Sequence, residues 1–256
     1  MGYSTKKTTR TQTGTITAFY DPDGNPIERY PGYYAIKQEY DEDGKIWRNV
    51  FLGIDGEPTI LAIGYTFEEH ILDDTEKIET VHFYDIQGVV VCSATEGYGK
   101  RIKYNTNGTI AKNTYLDKYD NPLIVSNGYA IFTYTYYPDE SAENRKVENE
   151  FYFDPEGKPI KLSLGQYGIH KEYDEKGENN SITYLNSEGQ TIESNKGYST
   201  VVTEYWGNYK TEMYFDLDGR PFRLPEGQYG IKEENGKKTY CYCSRSLSQN
   251  CSIGLT

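Results

Sequence analysis

The chain has 256 residues, 27 of them tyrosine and 9 phenylalanine, and a formal net charge of −12. That charge argues against nucleic acid, whose binding needs clustered Lys and Arg, and against a peripheral role on anionic lipid. No apolar run approaches the ~20 residues of a membrane span. A mean hydropathy of −0.79 would suit disorder, but disordered segments are poor in aromatics. Tyrosine therefore carries the apolar burial, with its hydroxyl left at a wet edge.

In chain order, MGYSTKKTTRTQTG comes first and lacks the apolar core of a secretory signal. Its GYST at 2–5 recurs at 197–200, and each copy stands 22 residues before the glycine of an aromatic-Asp-x-x-Gly turn, Gly24 and Gly219. The chain reads as beginning in mid-repeat, a piece of a longer array. The turn glycines then follow as Gly24, Gly56, Gly88, Asp120 in the same slot of YLDKYDNP, Gly157, Gly189 and Gly219, with gaps of 32, 32, 32, 37, 32 and 30. The longer gap fits a larger loop at YYPDESAENRK. A Gly-Tyr marker interleaves at Gly32, Gly64, Gly97, Gly128 and Gly197, with the variant GQYG at 165–168 and 227–230. A third marker, YDEDG at 40–44 with relatives YNTNG, YDEKG and YWGN, fills the other half of each unit. Self-similarity this regular signals a repeat architecture.

The turn chemistry follows from backbone sterics. In Asp21-Pro22-Asp23-Gly24 the first acid accepts backbone N–H groups, proline presets φ, and glycine supplies the positive φ that closes a type I turn with a bulge. Flanking residues alternate, as Met213 and Phe215 against Glu212 and Tyr214, which is strand periodicity. The expected fold is all-β: about seven tandem β-hairpin repeats of about 32 residues over 1–240, each half-repeat a hairpin. One hairpin alone is too small to be stable, so stacking should give an elongated solenoid or a twisted continuous sheet. Residues 241–256 leave the pattern as an irregular Cys-containing tail.

An aromatic pair, Asp, two residues, Gly and a later Gly-aromatic resemble the cell-wall-binding repeats of bacterial surface proteins. These include choline- and glucan-binding modules and the repetitive regions of large clostridial toxins. The Tyr-Asp-x-x-Gly half resembles the YD repeats of Rhs-type proteins. The wall-binding resemblance implies aromatic ligand pockets between neighbouring hairpins, built here from Tyr33, Tyr65, Tyr98, Tyr129 and Tyr198. Tyr20, Tyr152 and Tyr214 would be opposite walls, and Trp206 is an added aromatic contact. With only Trp47 and Trp206 as tryptophans, polysaccharide suits this set better than choline, whose cation–π capture favours Trp. It implies an extracellular or cell-surface location. The competing reading is that tyrosines recurring every 32 residues are core packing between repeats.

Other chemistries lack a singular constellation. His70, His82 and His170 are dispersed. Cys92 with His82 could be posed as nucleophile and base, against a buried core cysteine. Cys241, Cys243 and Cys251 lack a fourth zinc ligand, and a Cys243–Cys251 disulfide would require secretion. The acids sit in repeated turns, whereas catalytic residues should be singular. The chain is therefore expected to be non-catalytic, without cofactor. Two functions remain: multivalent glycan binding, or a structural YD/Rhs-like spacer or shell presenting another domain.

The Asp-x-Asp-Gly turns lack the remaining calcium ligands of an EF-hand, including the Glu at position twelve, where Gly32 stands after Asp21. Thermal melts in millimolar calcium and in chelator should coincide. Selective binding to the native state would instead raise the midpoint.

Overall fold

A computed structural model describes residues 5–138 and 146–242 of the chain. Among the described residues there are sixteen β-strands and no helix. The strands are β1 (Thr5–Arg10), β2 (Gly14–Tyr20), β3 (Ala35–Tyr40), β4 (Ile46–Leu52), β5 (Phe67–Asp73), β6 (Ile78–Tyr84), β7 (Gly99–Tyr104) and β8 (Ile110–Leu116). They continue as β9 (Ile131–Tyr136), β10 (Val147–Phe153), β11 (Gly168–Tyr173), β12 (Asn179–Leu185), β13 (Thr200–Trp206), β14 (Tyr209–Phe215), β15 (Gly230–Glu234) and β16 (Lys237–Cys241). Strand order follows chain order in one antiparallel, unclosed sheet. The all-β hairpin expectation holds. The chain divides into two compact units, Met1–Ile131 and Phe132–Thr256.

Each repeat is built differently from the expected pair of hairpins. Only the Tyr-Asp-x-x-Gly side makes a tight hairpin, as β3 to β4 through Gly44, where Tyr40 pairs Ile46 across a bulge. The aromatic-Asp-x-x-Gly side is a long connection, as from Tyr20 to Ala35, that holds two turns of its own. The first is closed by Gly24 N–H to the Asp21 carbonyl, with Asp21 Oδ1 accepting the N–H groups of Asp23 and Asn25. The second is closed by the Gly32 N–H to the Arg29 carbonyl. Each repeat thus supplies two strands and one folded loop. Two short turn signals about 16 residues apart look alike in sequence, but only one of them is the tight turn of a hairpin; the other opens a long loop that also returns the chain antiparallel.

The spacing irregularities now have causes. The Gly189-to-Gly219 gap is shorter because β13 and β14 are joined through Gly207-Asn208 alone, with Trp206 paired to Tyr209. The longer gap falls between β9 and β10, where the Tyr137 N–H bonds the Lys146 carbonyl; residues 139–145, and the GYST start at 2–4, lie outside the described residues. So do Cys243 and Cys251. Cys241 is still in β16, opposite Gly230, so the last hairpin runs one residue into the expected tail.

Burial alternates in some strands, as at Val81 and Phe83 of β6, but not in others. Thr17, Ala18 and Phe19 are all buried in β2, as are Val50, Phe51 and Leu52 in β4. Burial instead rises toward the folded-loop end, because there both faces of the sheet are covered. In the first unit one face collects Ala18, Ala35, Val50, Leu52 and Phe67, and the other Phe51, Leu61, Tyr65, Val81 and Phe83. The loop itself supplies Leu61 and Tyr65 to the second cluster. Loops are also tied to their strands by one repeated bond, such as Thr59 N–H to the Phe51 carbonyl and Ile192 N–H to the Tyr184 carbonyl.

Tyr65, 4% exposed and stacked on Phe83 at 4.4 Å, should be costly to truncate. Tyr65→Ala is expected to lower stability by about 3–5 kcal/mol in urea denaturation, as for other buried aromatics. Trp206→Ala, at an exposed tight turn, should stay within about 0.5 kcal/mol.

Candidate functional site

The aromatic residues converge on a ladder. Five positions before each turn glycine stands a strand aromatic: Phe19, Phe51, Phe83, Tyr115, Tyr152, Tyr184 and Tyr214. Nine positions after it stands a loop residue, Tyr33, Tyr65, Tyr129 and Tyr198 in four repeats. The two sets interdigitate: Phe19 to Tyr33 at 6.0 Å, Tyr33 to Phe51 at 5.4 Å, and Phe51 to Tyr65 at 5.8 Å in the first unit. In the second, Tyr184 meets Tyr198 at 5.9 Å and Tyr198 meets Tyr214 at 4.8 Å. These separations are within the range of favourable aromatic pairs.

The nine expected ligand-contact residues divide accordingly. Tyr33, Tyr65, Tyr129 and Tyr198 are loop rungs, and Tyr152 and Tyr214 are strand rungs; Tyr65, Tyr152, Tyr198 and Tyr214 are buried. Tyr20 falls outside the ladder. It lies one residue past the rung Phe19, so the strand alternation turns it to the opposite face, where it meets Tyr34 edge-on at 5.7 Å. Tyr98 is also off the ladder. Its N–H bonds the Leu116 carbonyl as that of Tyr34 bonds Leu52, so Gly97 holds the loop-rung slot. The same register puts Gln166 and Gln228, not the tyrosines of GQYG, in that slot. Both glutamines are buried and leave an Oε1 atom without a hydrogen-bond partner. Trp206 stands apart, exposed at the β13–β14 turn.

Burial raises the pKa of the Tyr65, Tyr184 and Tyr214 hydroxyls well above the ordinary tyrosine value, because no medium there solvates a phenolate. The marker tyrosines act as clasps instead. Tyr40 bonds Thr15 Oγ1 at 3.3 Å, Tyr104 donates to Glu79 Oε2 at 2.5 Å, and Tyr173 donates to the Val147 carbonyl at 3.0 Å.

Cross-strand pairing creates one polar cluster that no sequence motif announces. His70 on β5 has Nδ1 2.7 Å from Glu79 Oε1 on β6 and Nε2 3.3 Å from Glu68 Oε1. Asn49 on β4 donates to Glu68 at 2.9 Å. Burial alone would lower the His70 pKa, but the hydrogen bonds and charges of Glu68 and Glu79 outweigh it and raise it to about 9. Burial raises Glu68, and its bonds to His70 and Asn49 prevail and lower it; the His70 hydrogen bond lowers Glu79. Both imidazole nitrogens are thus held by carboxylates. Chemically, this arrangement joins β5 to β6 by charge and ties β4 to them through the neutral Asn49 amide. His82 likewise bonds Asp120 Oδ1 at 2.7 Å, so the posed pair with Cys92 is replaced by a carboxylate partner. Cys92 is exposed rather than a core thiol, because its loop position faces outward.

At the tight-turn end of the second unit lies an open depression of about 490 Å³ lined by Tyr205, Tyr209, Lys176, Glu178, Asn208 and Glu233 among others. Tyr205 is 44% exposed, unlike the clasped marker tyrosines.

The pH dependence of the His70 cluster follows from its sign. A folded pKa raised above 6.5 stabilises fully below 6.5 and is lost as pH rises through about 9. The lowered carboxylates stabilise above their ordinary range and lose this as pH falls through their folded values. The stability difference between wild type and His70→Gln should therefore be greatest near pH 6 and shrink by on the order of 2 kcal/mol toward pH 10. Urea titrations across that range measure it.

Comparison with known protein families and with curated proteins finds no match. Among solved structures, one of TcdB2-TccC3-TEV is similar over 90% of this chain at 9% identity and a TM-score of 0.20. The aligned part is 17% of that chain's length.

Proposed function

We propose that this chain is a non-catalytic structural repeat segment, a YD/Rhs-like spacer or shell within a longer polypeptide that presents another domain. The observation that carries this reading is the ladder: the repeated tyrosines are spent on packing one repeat against the next. Their recurrence then follows from the fold, since stacked hairpins bury their aromatic faces against their neighbours. The acids recur for the same reason, as turn caps. The titratable groups around His70 are bonded to one another, which suits a structural role. The location that goes with this reading is the cell surface or the extracellular space, as the resemblance of the repeats implies.

Saccharide contact is a second reading, supported by the exposed Tyr205 that lines the depression at the tight turns, with the exposed Trp206 next to it in sequence. Aromatic faces next to Lys, Glu and Asn side chains suit a neutral sugar. Any such site would be weak singly, and gain would require several on one polymer.

The two readings separate in one experiment. Tyr33→Ala, Tyr129→Ala and Tyr198→Ala should each lower the melting temperature, by about 2–4 °C for each kcal/mol lost. The parent should not be retained on immobilised glucan or purified cell wall. Retention that Trp206→Ala and Tyr205→Ala abolish without loss of stability would favour the saccharide reading instead.

A further inference from the structure

The folded loops of the first unit stack on one another in register. Ala62 N–H bonds the Pro31 carbonyl, Ala94 N–H bonds that of Ile63, and Ser126 Oγ donates to that of Ala94. Equivalent positions of successive loops therefore form rows, with neighbours about 10 Å apart across two strands. Two of these rows, two before and four after the turn glycine, face outward and carry isoleucine at several loops of this unit: Pro22, Ile54, Ile86 and Lys118 in one, Glu28, Ile60, Cys92 and Ile124 in the other, with Val89 between them. Ile54, Ile60, Ile86 and Val89 are each more than half exposed. A groove of about 560 Å³ shows how the rows meet, since Glu28 of one loop lies against Ile54, Asp55 and Pro58 of the next. Ile60 and Ile86 hold the repeat-equivalent positions of Glu28 and Ile54 one repeat along.

The fold does not require this surface. In the second unit the same two rows hold Pro155, Ser187 and Leu217 and Lys161, Glu193 and Arg223. The loops of the first unit are also acidic, with Asp23, Glu28, Asp55 and Glu57 exposed, and Arg29 and Lys118 are their only basic residues. The second unit's loops mix both signs, with Lys158, Lys161, Lys196, Arg220 and Arg223. An apolar strip with an acidic border, on a scaffold that tolerates polar residues at the same places, marks an interaction surface.

We propose that the loop edge of the first unit docks an extended segment of a partner protein that carries alternating apolar and basic side chains. The apolar groups would seat between successive loops, as in the groove beside Ile54, and the Lys or Arg groups would meet Glu28, Asp55 and Glu57. A second copy of this chain fits less well, because its own corresponding edge repeats the same acidic charge.

The probe is a fluorescein-labelled peptide of about 15 residues alternating Leu and Lys, with Leu-Glu and Ser-Lys counterparts. Fluorescence anisotropy should show the Leu-Lys peptide binding at least about tenfold more tightly than either counterpart, and weakening from about 0.05 to 0.5 M salt. The variant Ile60→Ser/Ile86→Ser/Val89→Gln puts at 86 and 89 the residue types that Ser187 and Gln190 show at the equivalent places of the second unit, and a neutral serine at 60, with no added charge. It should keep the parent's melting temperature and lose at least about tenfold in affinity, whereas Leu217→Ser in the second unit should lose nothing. Equal binding of the three peptides, or undiminished binding by the variant, would overturn the proposal. A parent dimer in sedimentation velocity that the variant abolishes would overturn it in favour of a second copy.

Discussion

In four of its seven repeats this fold is anchored by the contact between a strand aromatic and the loop tyrosine that stands nine residues after the turn glycine. A two-stranded hairpin has too little apolar surface to be stable by itself. A connection of this length laid over a sheet face would be an entropic burden without an anchor. Seating Tyr65 between Phe51 and Phe83 resolves both at once, because the loop becomes part of the core and one ring bridges two repeats. The hydroxyl explains why tyrosine serves where leucine would be expected. The rung is buried at its ring while its oxygen reaches Glu68 at the margin.

That economy has local failures. Gln166 and Gln228 occupy rung positions and leave buried carbonyl oxygens unpaired, a cost of the order of 1–3 kcal/mol for each such group. Gly97 leaves its rung empty, and a side chain there would collide with the Leu116 carbonyl. The ladder is therefore interrupted within an otherwise regular array, and neighbouring contacts carry those repeats. Asp120 is a related exception. It holds a positive φ of 66° that glycine adopts elsewhere, and its carboxylate is tied to His82.

Charge is distributed with the same logic of position. The His70 cluster uses alternate strand positions, so Glu68, His70 and Glu79 share one face and meet across β5 and β6. The turn acids use their oxygens on backbone N–H groups, so a net charge of −12 does not translate into a bed of free carboxylates. The exposed acids of the first unit's loops are the residue of that use, and they border the loop edge where Ile54, Ile60, Ile86 and Val89 are exposed.

The strand-and-turn character, the repeat length and the role of Asp21 and Gly24 were legible in the chain itself, because turn sterics act over four or five residues. The aromatic rungs were visible as recurring tyrosines, but their role was not. Whether Tyr65 faces a ligand or a neighbouring ring depends on the loop folding back over the sheet, and that fold-back is a long-range event. Register decided the rest. One residue moves Tyr20 to the opposite face, and one residue puts Gly97 rather than Tyr98 in the rung, since side chains alternate with a period of two. The Glu68–His70–Glu79 cluster was invisible for the same reason: its members belong to two strands, and only the pairing of β5 with β6 sets them side by side.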